Sequence, residues 1–575
     1  MVVTRDLLDS YEIGTNFRAA SRFRACQILM LTLEQGDTMA RPITDDMLDP
    51  KTPSDVIIRS DAREPVKDPT LGIAVNVNRQ GTPRHRLVTI GDSLTHGFQS
   101  GAIFNTKLSY PLLIAKEMGW DKNLRYPTYA GPGDGLPLNL ERLARQLEKQ
   151  YGDSINWWDF APGLLFIRDY LDQVEDYWER GEGSHFPNQR EINHNLSVYG
   201  WDLRDTLSRT ADMCKDVLNR NKSKDDFIRQ VVEHHNERAA IGVLNSARDS
   251  KGKALSPLQA AAALGAEGTQ ETKDGDGIET LIVLVGSNNA LGSILTFNVV
   301  WSAEGYDDMS INDRYTVWRP IHFKAELDKV VEEVKKIRAR HVIWGTVPHV
   351  TIAPFARGVD RKVSPGSRYF PFYTLPWISD DDFNPSKHPK ITEQEARAID
   401  SAIDQYNDYI TDVVREGRNQ GRDWYLFETA GLLDRLASRR YIKDPSTRPS
   451  WWTEYPLPPE LKALDPVPDS RFFTSDSNGR KTGGLFSLDG IHPTTIGYGI
   501  MAQESIKIMK LAGVKFYQAD GKTERSGEVK INFNRLIGWD TLISNPPHSI
   551  SSDLSLIGWI DKNFNIFSNL LRSSY

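Results

Sequence analysis

The chain has 575 residues, 39% of them hydrophobic, and sets 70 lysines and arginines against 77 acids for a formal charge of −7. That is enough apolar mass for a large core, and with no long basic run the balance gives nucleic acid or an anionic membrane surface no footing as partners. The 2 cysteines, Cys26 and Cys214, are too few for a disulfide framework and match no metal pattern, which fits a reducing compartment.

Residues 1 to 85 read as an irregular lead-in. Ala25 to Leu33 is apolar and follows Arg18, Arg22 and Arg24, but Asp6, Asp9 and Glu12 precede it. The run is short, and no small-residue cleavage site follows before Met39, which is an alternative start. We therefore read no signal peptide. No window approaches about 18 apolar residues, so no membrane span is expected, and a cytoplasmic protein is.

Arg86 to Ile90 is a short run rich in β-branched residues, and Tyr110 to Met118 has helical spacing. Between them stands Gly91-Asp92-Ser93-Leu94-Thr95-His96-Gly97, so the pattern predicts strand, tight turn and helix with Ser93 at the turn. A serine there is placed like a nucleophile, since ligands of parallel α/β sheets bind at the strands' carboxyl ends. Asp-Ser before a helix is equally an ordinary N-cap.

A first insertion spans about 120–194, with an amphipathic helix from Leu138 to Leu147, Trp157-Trp158 and an aromatic run from Phe166 to Trp178. Asn195 to Trp201 is strand-like, and Leu203 begins a helix. A second insertion, about 208–278, holds helical stretches around Thr206–Asn219, Asp226–Leu244 and Leu258–Leu264. Insertions placed behind strand ends can wall a substrate cleft. Thr280 to Val285 reads as a buried strand and runs into Gly286-Ser287-Asn288-Asn289.

Arg340 to Pro348 reads as a fourth strand, and 349–390 as a long loop without periodicity. Ile391 to Glu416 is an amphipathic helix, Asp423 to Phe427 a fifth strand, and 441–484 a further excursion. Asp489-Gly490-Ile491-His492-Pro493 then precedes a helix from Gly497 to Lys510. An acid three residues before a histidine can reach its Nδ1–H and leave Nε2 to take a proton from a serine. Residues 514–575 follow as an appendage of mixed pieces.

At these residues the chain resembles the GDSL or SGNH hydrolases. Gly91 to Leu94 and Asp489 to Pro493 match that family's first and last blocks, and Gly286 to Asn289 its Gly-x-Asn-Asp block, with Asn289 in place of the usual aspartate. For the family's glycine two positions compete. Gly200 ends an Asn-x-x-x-x-Gly stretch, whereas Gly133 lies among turn-like glycines, and we assign Gly200.

The resemblance implies an α/β fold, a three-layer α/β/α flavodoxin-like parallel sheet of order 2-1-3-4-5 with large, mainly helical insertions, spanning 86–513. It implies a serine esterase or lipase whose triad is Ser93, His492 and Asp489. Its oxyanion hole would be the N–H groups of Ser93 and Gly200 with the Asn288 amide. No metal or organic cofactor is expected; the partner would be a small-molecule, lipid or glycan ester. A carbohydrate O-deacetylase or acyltransferase of the same fold, and a non-catalytic binding module on its scaffold, stay open.

Other residues have plainer readings. His234-His235 reads as part of a solvated helix face, Asp380-Asp381-Asp382 as a solvated turn without the spacing of a calcium loop, and the 14 tryptophans mainly as packing. His96 lacks the acid partner that His492 has in Asp489.

Overall fold

The computed structural model describes residues 43–76, 81–129, 131, 134–186, 191–221, 232–268 and 275–564. Gly133, Cys26, the Ala25–Leu33 run and residues 226–231 of the second insertion lie outside them. The elements that position the site are, in chain order, β1 (His85–Gly91), α1 (Ser93–His96), α2 (Tyr110–Glu117), β2 (Ile278–Leu284), α3 (Asn288–Thr296), α4 (Pro320–Val334), β3 (Ala339–Gly345), α5 (Glu393–Asn419), β4 (Trp424–Phe427), α6 (Thr429–Leu436) and α7 (Thr495–Leu511).

The four strands form one parallel sheet of order β1-β2-β3-β4, with Ile90 opposite Val283, Val283 opposite Trp344 and Trp344 opposite Leu426. Beyond β1 the chain adds a single parallel bridge, Thr89 to Asn195, tied by Leu196 N–H to Thr89 O at 2.9 Å and Val198 N–H to Gly91 O at 3.3 Å. The expected strand before Gly200 is thus a few bonds long.

Side chains alternate along a strand, so each strand feeds two cores. Val88, Ile90, Val283, Val342 and Trp344 join one cluster with Phe323 of α4 and Ile399, Ile403 and Tyr406 of α5. Leu87, Ile282, Leu284, Ile343 and Tyr425 join another with Leu113 of α2 and Ile496, Tyr498 and Met509 of α7. A parallel sheet buried on both sides carries near-continuous apolar strands, the pattern of 280–285.

The remaining segments are more tightly integrated than the sequence reading divides them. In the lead-in, Val56 and Ile58 enter the first core, Ile57 N–H donates to Gln405 at 2.7 Å, and Pro69 O accepts the Leu426 N–H of β4 at 2.9 Å. Residues 514 onward place Phe516, Ile531, Phe533 and Leu536 in the second core, and Asp540 accepts the Ile496 N–H at the start of α7 at 2.9 Å. The helical stretch expected at Thr206–Asn219 is two helices, Leu203–Ser208 and Ala211–Arg220: Arg209 turns extended and ends the first, and Thr210 caps the second. Two strands within 349–390, Arg357–Val359 and Phe372–Thr374, pair antiparallel and are joined by Ile391–Thr392, which precedes the helix rather than starting it; all are too short to leave a periodic trace.

Candidate active site

β1 ends in a glycine for a steric reason. A Cβ on Gly91 would lie 2.4 Å from Leu284 O and 2.5 Å from Thr95 Oγ1. With glycine there, the chain turns directly into α1 against the neighbouring strand. Asp92 caps that helix by accepting the Leu94 N–H at 3.1 Å, which leaves Ser93 as the first helical residue. The N-cap reading of Asp-Ser is thus compatible with a first-turn serine at the strand end. First-turn N–H groups lack helical acceptors, and that of Ser93 has none among the described residues.

From the far end of the chain, His492 Nε2 lies 2.8 Å from Ser93 Oγ, and its Nδ1 lies 3.0 Å from Asp489 Oδ2. The block folds on itself, with Ser487 N–H donating to His492 O at 2.8 Å. Asp489 Oδ1 accepts the N–H groups of Ile491 and His492, both at 2.8 Å, and Oδ2 accepts the Gly101 N–H at 3.0 Å. Burial pushes the Asp489 carboxyl up, but the His492 ring and these donors outweigh it and hold it below the usual range. The Phe98 ring packs on His492, with centroids 4.6 Å apart.

Two loops flank this corner. His96 Nδ1 accepts the Tyr199 N–H at 3.3 Å, and Asn195 Nδ2 donates to Thr95 O at 2.9 Å, so the stretch leading to Gly200 is bonded to α1. Gly200 has φ +78°, and a Cβ there would meet Asn236 Nδ2 at 2.5 Å. Its N–H has no acceptor among the described residues. Asn288 Nδ2 donates to Trp201 O at 2.7 Å, and Asn289 Oδ1 accepts the Leu203 N–H at 3.3 Å. The paired asparagines thus grip the 200–203 loop from both ends. As an acceptor of a backbone N–H, the Asn289 carbonyl does what an aspartate could do there without burying a charge.

No protein-family model, no curated protein and no solved structure matches this chain.

Ser93 and His492 open on a cavity of about 910 Å³, its mouth included. The walls are apolar: Leu291, Val350, Leu432, Leu436, Phe486 and Met501 stand around it, and Ser93, Ser287, Thr429, His349 and His492 are the polar side chains. A serine hydrogen-bonded to an imidazole that a carboxylate orients can lose its proton to that imidazole. An apolar wall beside it suits an aliphatic group.

Around the site, sequence reasoning passed over Ser100 and Gly101 and left the burial of Asp92, His96 and His235 unread. Asp92 is fully buried behind the serine; burial raises it to about 6, with the Leu94 N–H, Ser287 and the nearby His492 partly offsetting that. Ser100 and Gly101, both at positive φ, lock onto the histidine block: Ser100 N–H donates to Ser487 Oγ at 2.8 Å. Their Ser-Gly turn was the available signal. His96, which burial lowers to about 3, is a neutral acceptor. His235 is buried, not on a solvated face, and its Nδ1 lies 2.9 Å from the Tyr199 hydroxyl. Asp380 is an exposed partner of Arg357 at 2.6 Å. Among the described residues no helix is long and apolar enough to cross a membrane.

Proposed function

We propose that the chain is a serine esterase of the SGNH type that hydrolyses carboxylic esters through an acyl-serine. The observation that carries this reading is the continuous relay from Asp489 through His492 to Ser93 Oγ, assembled from segments 399 positions apart. Counting the parallel bridge at Asn195 as an edge strand gives the order 2-1-3-4-5, which supports the flavodoxin-like layout.

In this mechanism His492 Nε2 takes the Ser93 proton as Oγ attacks the ester carbonyl, and Asp489 stabilises the imidazolium. The oxyanion rests against the N–H groups of Ser93 and Gly200 and the Asn288 amide. The tetrahedral adduct collapses, the carbonyl–oxygen bond to the alcohol breaks, and His492 gives its proton to the leaving alkoxide. Water, deprotonated by the same histidine, then attacks the acyl-serine and releases the acid.

The apolar cavity supports an aliphatic acyl group as the part of the substrate beside Ser93. We expect p-nitrophenyl esters to be cleaved with kcat/KM rising from acetate to a medium-length acyl chain, because each buried methylene contributes about 0.8 kcal/mol. Ser93→Ala should cleave none of them. A series with activity highest on acetate would contradict the acyl assignment, and full activity of the alanine variant would contradict the nucleophile.

A further inference from the structure

Away from the serine cavity, one cluster of metal-ligating side chains joins two segments far apart in the sequence. The helix Leu140–Tyr151 ends at Gly152, whose φ of +82° and N–H to Glu148 O at 2.7 Å turn the chain so that Asp153 comes beside Glu148. The third member, His548, stands just ahead of the helix Ile550–Phe564. Its Nδ1 lies 3.5 Å from Glu148 Oε1 and 3.4 Å from Asp153 Oδ1, and the three donor atoms all lie within 4.8 Å of one another. Those separations are longer than an N–H···O bond of about 2.9 Å. They match the edge of a coordination tetrahedron, in which bonds of about 2.1 Å hold neighbouring ligand atoms about 3.4 Å apart.

The charge here lacks a partner. Among the described residues no lysine or arginine pairs with Glu148 or Asp153, and His548 is the basic group they share. Two carboxylates and a neutral imidazole balance a doubly charged cation, whereas an imidazolium would balance one carboxylate. Behind them Asp553, in the first turn of Ile550–Phe564, is only 4% exposed. Its Oδ2 accepts the Ser549 hydroxyl at 2.9 Å, but its Oδ1 has no hydrogen-bond partner. Burial pushes this carboxyl up to about 7, Ser549 partly offsets that, and the nearby Glu148 charge adds to it. The two segments are held together by other contacts as well: Ile155 N–H donates to Ser552 Oγ at 3.0 Å, and Leu556 shares a core with Leu143 and Leu147. The ligands are thus positioned before any ion arrives.

We infer that Glu148, Asp153 and His548 bind one zinc-type divalent cation, which staples the start of the helix Ile550–Phe564 to the end of Leu140–Tyr151. An imidazole nitrogen beside two carboxylates suits zinc and its transition-metal neighbours, whereas calcium and magnesium take oxygen ligands. Three protein ligands leave a fourth position to water. None of the three lines the cavity at Ser93, and the inference is independent of the esterase reading.

The test is calorimetric titration of the full chain, stripped of metal by chelator and gel filtration, with zinc chloride, paired with thermal unfolding with and without the ion. The wild type should show one saturable site and a higher unfolding temperature with zinc. His548→Ala should weaken binding ten-fold or more and abolish the thermal gain, roughly the loss of one coordinate bond. Glu148→Gln should also weaken binding about ten-fold, and it carries the test should the alanine variant fail to fold. His492→Ala should change neither readout, which separates this site from the Asp489–His492 pair. Magnesium and calcium chloride at the same concentration should give no saturable heat. Absence of saturable zinc binding to the wild type would overturn the inference. So would binding undiminished in both His548→Ala and Glu148→Gln, binding lost only in His492→Ala, or calcium bound as tightly as zinc.

Discussion

His492 and His349 are both buried, both border the cavity beside Ser93, and both are held by carboxylates. Their second nitrogens separate them. His492 has Asp489 at Nδ1 and a serine hydroxyl at Nε2, whereas His349 has Asp434 at Nδ1, at 3.3 Å, and Asp404 at Nε2, at 3.0 Å. Burial alone would lower His349, but the two carboxylates outweigh it and raise it to about 10. It is a fixed cation that welds the turn after β3 to α5 and α6. One carboxylate leaves an imidazole free to exchange a proton with a third group; two make it a structural ion.

The largest effect should come from breaking the relay. Ser93→Ala or His492→Ala should each cost about 10⁶-fold in kcat with the folded state kept, read from steady-state ester hydrolysis and circular dichroism. His349→Ala should do the reverse. It strands Asp404 and Asp434 without their cation and should cost about 3 to 5 kcal/mol in denaturant unfolding, with activity per folded molecule changed far less than in His492→Ala.

Next is Asn288→Ala, expected to lower kcat about 100- to 1000-fold through the lost oxyanion donor and the freed 200–203 loop. Asn289→Ala removes only the bond to Leu203 N–H and should cost less; the reverse order would misplace the oxyanion donor. The pH dependence of stability tests the other histidine. An unfolded chain releases the His349 proton near 6.5 and the folded one near 10. Between those values the folded state holds more protons, so the stability from His349 is complete below about 6.5 and declines as pH rises toward 10. Denaturation midpoints over this range should fall in the wild type and fall less in His349→Ala.

How much of this the sequence carries depends on how local each arrangement is. The Ser93 corner and the Asp489-to-His492 block are contiguous, and their geometry follows from a tight turn and a three-residue spacing, so both are readable as strings. The buried strand at 280–285 is legible because a sheet covered on both faces needs an unbroken apolar run. Asn289 departs from a family pattern, but its partner, Leu203 N–H, lies 86 positions away and no spacing reveals it. His349, Asp404 and Asp434 sit on three separate elements. Nothing local distinguishes them from solvated charges. The strapping of the lead-in across α5 and the seating of residues beyond 514 in the second core are invisible for the same reason: isolated apolar residues such as Val56 and Phe516 have no periodicity to declare them.

The central claim is that Ser93 is an activated nucleophile, and labelling by a fluorophosphonate followed by intact-mass measurement tests it most directly. The serine Oγ displaces fluoride from phosphorus only when its proton can be taken. The account predicts one adduct on the wild type and none on Ser93→Ala or His492→Ala. A folded wild-type protein that stays unlabelled, or an adduct that persists in Ser93→Ala, would contradict it.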